Sequence, residues 1–146
     1  MKRYILVFIF FIVPSHAHDA RPIYLEINES VHFESSYEVK TKIPNSLNFF
    51  PDVILPKGCK FDPFPEVERG DGFSVRTAQL SCSATIQGRF ISIDFPKPNQ
   101  SLSVLIRTSF RNGEIHSKLL PPGETEWQIP EIENASSIFR EYTDLG

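Results

Sequence analysis

PIYLEIN, residues 22–28, sets Ile23, Leu25 and Ile27 against Tyr24, Glu26 and Asn28. A period of two sends alternate side chains to opposite faces of an extended chain, so one face is apolar and the other wet. The same rhythm returns in residues 37–43, where Tyr37, Val39, Thr41 and Ile43 alternate with Glu38, Lys40 and Lys42. Phe73, Val75 and Thr77 form a third such run ahead of Cys82. Residues 90–95 (FISIDF), 102–110 (LSVLIRTSF), 115–120 and 127–129 are further runs of β-branched and aromatic residues. The count is about seven strands.

Turn chemistry separates these runs. Asn112-Gly113 lies between two apolar stretches, the pattern of a tight hairpin, and Gly70-Asp71-Gly72 reads as another. Pro44, Pro51, Pro56, Pro63 and Pro65 mark a long stretch read as irregular. The expected fold is all-β, an antiparallel immunoglobulin-like β-sandwich spanning residues 18–130. A short C-terminal helix is expected after it, capped by Asn134, with Ile138, Phe139, Tyr142 and Leu145 along one face. Residues 131–146 then form an amphipathic lead-in segment to a membrane region that the 146 residues do not contain.

The first 17 residues read as a secretory signal peptide. Lys2 and Arg3 precede the apolar run YILVFIFFIV of residues 4–13, and Ser15-His16-Ala17 offers small residues for a cut after Ala17. A membrane-spanning helix needs roughly 20 apolar residues, so this run is short for a retained anchor. Export places the chain in the periplasm or on the extracytoplasmic face of a membrane. The formal charge of −3 becomes −5 once Lys2 and Arg3 are removed, which argues against nucleic acid as a partner. Both cysteines, Cys59 and Cys82, belong to the exported part, and an even count in an oxidising compartment favours one disulfide between them.

Signatures of catalysis are missing. The sequence holds no Gly-x-Ser-x-Gly elbow, no His-Glu-x-x-His and no Cys-x-x-Cys, and the chain reads as a non-enzyme. Arg69-Gly70-Asp71 is explained by its turn, and Glu66, Glu68 and Asp71 supply only three of the six to eight oxygens a calcium ion takes. Phe49-Phe50 and Phe61-Asp62-Pro63-Phe64 either plug the end of a sandwich or form an exposed patch for a partner. His18, His32 and His116 are the candidate metal ligands. A terminal histidine offers its amine and imidazole to one ion, and a second imidazole completes a nitrogen set suited to copper(II).

Three segments taken together resemble a known family. Residues 17–29 (AHDARPIYLEINE), 54–59 (ILPKGC) and 80–82 (LSC) with 88–93 (GRFISI) are similar to the extracytoplasmic N-terminal part of HupE/UreJ-like bacterial membrane proteins. The resemblance covers most of residues 17–146. It implies an accessory role in a hydrogenase- or urease-linked system, with nickel or another metal as cargo. It also implies a partner in the membrane component of the same system or in a following transmembrane region. The functional expectation is a non-catalytic binding or interaction domain. Its alternatives are a periplasmic copper-binding protein built on His18 and a purely structural ectodomain.

Overall fold

β1 (Ile23–Glu29) stands inside a sheet rather than at its edge, paired on both sides. The computed structural model describes residues 21–98 and 101–131, and among these every regular element is a strand. Antiparallel to β1 on one side runs β2 (Ser36–Pro44), with Leu25 opposite Thr41 and Ile27 opposite Val39. On its other side runs β8 (Val104–Ser109), parallel, with Ile23 beside Val104 and Leu25 beside Ile106. The expectation of purely antiparallel pairing is corrected here. Parallel neighbours need a long crossover, and residues 83–103 supply it by passing through a second sheet.

The larger sheet runs β4-β6-β2-β1-β8-β9. Its remaining members are β4 (Cys59–Phe61), β5 (Glu66–Gly70), β6 (Phe73–Cys82) and β9 (Ile115–Leu120). β5 also pairs with β6, along Phe73 to Thr77, while β4 pairs with Leu80 to Cys82. The two short strands therefore lie end to end along one flank of β6, with Asp62–Pro65 as the kink between them. The smaller sheet has the order β10-β7-β3, from β3 (Asp52–Ile54), β7 (Phe90–Asp94) and β10 (Glu126–Gln128).

Ten strands stand where about seven were expected. Of the three additions, β3 and β4 fall in the proline-marked stretch read as irregular, and β5 directly follows its last proline. β3 and β4, of three residues each, are too short to show a period, β5 is exposed along its whole length, and all three lie at a sheet edge, where proline is tolerated. The face of β6 is also inverted. Ser74, Arg76, Ala78 and Leu80 pair with core residues of β2, while Phe73, Val75 and Thr77 point outward. The expected helix from Asn134 lies outside the described residues.

One core cluster joins the two sheets. Ile23, Leu25 and Ile27 of β1, Tyr37 and Val39 of β2, Val104 and Ile106 of β8 and Leu120 of β9 meet Ile91 and Ile93 of β7. Each such side chain contributes about 1.5–3 kcal/mol on burial. The Tyr37 hydroxyl accepts a hydrogen bond from the Ile86 amide and so satisfies its polar end inside the core. On the wet face of β2 the Glu38 carboxylate, 2.7 Å from Lys40, holds that ammonium above its usual range. Exposed pairs of this kind add little stability.

Both hairpins read from turn residues are present. Asp71 and Gly72 connect β5 to β6, with Gly72 at a φ of 84° that other residues rarely adopt. Gly113 (φ 91°) closes the β8–β9 connection, where the Asn112 side-chain carbonyl accepts from the Glu114 amide. Cys59 and Cys82 stand directly opposite one another on β4 and β6 and are joined in a disulfide. That bond ties the flank strand β4 to the body of the sheet. Replacing Cys82 by alanine is expected to lower stability by about 2–5 kcal/mol in denaturant titration. An unchanged midpoint would show that the staple is dispensable.

A candidate interaction groove on an uncovered flank

Three strands cannot cover the inner face of seven. The smaller sheet ends at β3, and beyond it the middle of the inner face of β6, at Arg76 and Ala78, is left open with Phe61 of β4, while Ser74 and Leu80 on the same face are buried. A groove of about 290 Å³ runs there, lined by Val39, Thr41, Val53, Phe61, Arg76 and Ala78, among others. Its floor comes from the inward residues of β2 and β6, for Val39 faces Ala78 and Thr41 faces Arg76. One wall is β3, and the other is Phe61 with the Asp62–Pro65 kink.

Arg76 fixes the wall to the floor. Its Nη2 donates to the Pro51 carbonyl at 2.6 Å, its Nη1 lies 3.7 Å from Asp52 Oδ1, and its guanidinium stands 5.1 Å from the centre of the Phe50 ring. An arginine points toward the core side at this position because the flank is open enough to leave it 24 % exposed. Phe50 serves partly as the expected plug, since it packs against the core. Phe64 does the opposite and stands 88 % exposed at the kink, with Phe61 and Val67 partly exposed beside it. The patch reading of Phe61-Asp62-Pro63-Phe64 therefore describes Phe64, while Phe61 lines the groove.

The histidines lie elsewhere. β1 and β8 end at the same end of the sheet, where the connection 30–35 holds His32 and the start of β9 holds His116. His32 is exposed, between the exposed Val31 and Phe33, and its amide donates to Ser30 Oγ. His116 is half-buried opposite Thr108, with its ring 6.0 Å from that of Phe110 and its Nε2 3.6 Å from Glu114 Oε2. Glu114 Oε2 is itself held by Gln87 Nε2 at 2.8 Å. Arg111 links this end together, its amide donating to Glu29 and its guanidinium to Glu34. His18 lies outside the described residues. β1 begins at the opposite end of the sheet, roughly 20 Å away along a seven-residue strand.

Among the described residues no three His, Cys, Asp or Glu side chains gather as a metal site would need. Glu66 and Glu68 sit on the outer face of β5, and Asp71 lies in the turn beyond it. No helix among the described residues is long and apolar enough to cross a membrane.

The chain matches no protein-family model and no curated protein. The groove thus stands on its geometry. Sequence reasoning named Phe61 and Phe64 but missed Val53, Arg76 and Ala78, whose roles depend on where the small sheet stops. Replacing Arg76 by methionine keeps an unbranched apolar stem and removes the guanidinium with its bond to Pro51. A hydrogen bond to a charged group contributes about 1.5–3 kcal/mol, reduced by solvent at a site this open. Urea denaturation should therefore show a loss of about 1 kcal/mol, and no loss would mean that β3 is not anchored through Arg76.

Proposed function

We propose that this chain is an exported, non-catalytic interaction domain that docks another protein on the open flank. The observation that carries the reading is the exposed aromatic and apolar surface at Phe64, Phe61 and Val67 beside an apolar-lined groove. A folded domain leaves such a contiguous surface in water at a cost, and it marks a site of association. The two sheets with one shared core support an immunoglobulin-like β-sandwich as the finer description. The disulfide is compatible with an oxidising, exported location.

The resemblance of residues 17–29, 54–59, 80–82 and 88–93 to HupE/UreJ-like proteins supplies the proposed setting. The partner is then a membrane component of a metal-linked system, and the domain serves it by binding rather than by chemistry. Nickel or copper enters as that system's cargo.

The test is site-specific photo-crosslinking in the cells that make the protein. A photoreactive phenylalanine in place of Phe64 should crosslink to a protein of the membrane fraction. The same group in place of Ile115, 55 % exposed on the outer face of β9, should not. Equal crosslinking from both positions, or none from either, would overturn the reading.

A further inference from the structure

The free edge of β3 faces into the groove, and we infer that it takes up an extended, alternately apolar and cationic segment of the partner as a fourth strand of the small sheet. This deepens the reading of the open flank as a docking site and rests on it.

Hydrogen-bond direction along β7 makes the case. The Ile93 amide donates to Thr125 and the Arg89 carbonyl accepts from Ile129, so the odd-numbered residues of β7 turn their backbone groups toward β10. The even-numbered ones turn toward β3, where Asp94 pairs with Asp52 and Ser92 with Ile54. In an antiparallel ladder the residue between two such pairs faces away. That residue is Val53. Its N–H and C=O point off the sheet, into the groove whose wall it forms. The next edge carbonyl, that of Pro51, points the same way and is taken by Arg76. Val53 is left as a donor and acceptor pair of the kind an added strand uses.

The side chains on either face define the occupant. A strand beside β3 would set its inward residues over Val39, Ala78 and Phe61, an apolar floor where the small side chain of Ala78 leaves room. Its outward residues would stand next to Asp52, whose side chain is 83 % exposed, and next to the exposed Ile54, with the exposed Asp62 also lining the groove. Among the described residues Arg76 is the only cation lining the groove, and it is engaged by Pro51 and Asp52. Apolar residues inward and lysine or arginine outward are therefore the complementary pattern.

The edges of the larger sheet are defended. At the β9 edge Lys118 lies opposite Ile106, on the core side, where a charge discourages further pairing. Along the β4–β5 edge the prolines of the Asp62–Pro65 kink and the charged run Glu66, Glu68 and Arg69 do the same. β3 has no inward charge and no proline among its three residues, and the outward Asp52 is a charge that a cationic strand would match.

The experiment follows the Val53 amide by NMR hydrogen exchange in the intact exported protein. The probe is a capped nine-residue peptide that alternates valine with lysine. Its addition should slow Val53 exchange by about tenfold or more, as a new ladder bond would. One N-methyl group on the peptide amide facing β3 should abolish the effect without altering the protein. Glutamate in place of lysine should weaken binding by about tenfold, since like charges would meet at Asp52 and Asp62. Val53→Pro, which removes the outward-facing N–H but also alters a side chain packed against the core, should lose the peptide as well while the circular dichroism of the fold is retained. Unchanged Val53 exchange at millimolar peptide, or binding indifferent to N-methylation, would overturn the proposal. So would protection of Val53 without peptide that rises with protein concentration, because the edge would then belong to a second copy of this chain. Crosslinking through position 64 that persists while Val53 stays unprotected would sink the strand addition alone and leave the docking flank standing.

Discussion

The inward row Ile23, Leu25 and Ile27 is the constraint around which the rest is arranged. These three side chains are at most 1 % exposed, and their strand is held on both sides, by β2 and by β8. A slip of one residue in either pairing would carry the whole row to the wet face and bring Tyr24 and Glu26 inside. Both registers are therefore fixed by burial. Fixing them also fixes the crossover, because β8 can run parallel to β1 only if the chain between β6 and β8 leaves the large sheet and returns. β7 is made on that detour, and the small sheet is built around it.

The open flank follows from the same constraint. A crossover packed over β1 and β8 leaves the middle of β6 and the flank strands β4 and β5 without a lid. The chain answers with local devices rather than with more core. The disulfide holds β4 on β6, Arg76 ties the beginning of β3 to the floor, and Phe50 packs beneath it. What remains is an apolar channel with a free strand edge along one side and Phe64 in water beside it. Such a surface is costly in isolation, which is the physical ground for reading it as a place of contact.

Much of the fold was legible in the sequence wherever a strand was long enough to show its period. β1 and β2 were readable residue by residue, and Asn112-Gly113 and Gly70-Asp71-Gly72 fell at real turns. The three-residue strands β3 and β4, set among prolines, carry no such signal, and β5 is exposed along all five of its residues and so shows no alternation. β6 misled for a different reason. Phe73, Val75 and Thr77 are its apolar-looking set, yet Arg76 and Ala78 face inward where the flank is uncovered and demands no large apolar residue, and the buried Ser74 beside them is satisfied by Asn45. Phe73 meanwhile finds its cover on the outer face, under the Lys42 ammonium at 4.0 Å. The groove residues Val53, Arg76 and Ala78 could not be singled out for the same cause, since their meaning depends on where a neighbouring sheet ends. Of the histidines, His32 and His116 share one end of the sheet without sharing a site.

The central claim is that protection is deepest at β1 and fails at the edge of β3. Hydrogen–deuterium exchange of the isolated protein, read residue by residue under native conditions, tests it most directly. The amides of Leu25 and Ile27 should exchange only with global unfolding, while that of Val53 should exchange orders of magnitude faster than its neighbours Asp52 and Ile54. Val53 protection equal to that of β1 in the isolated protein would mean that the flank is already covered, and the account would be wrong.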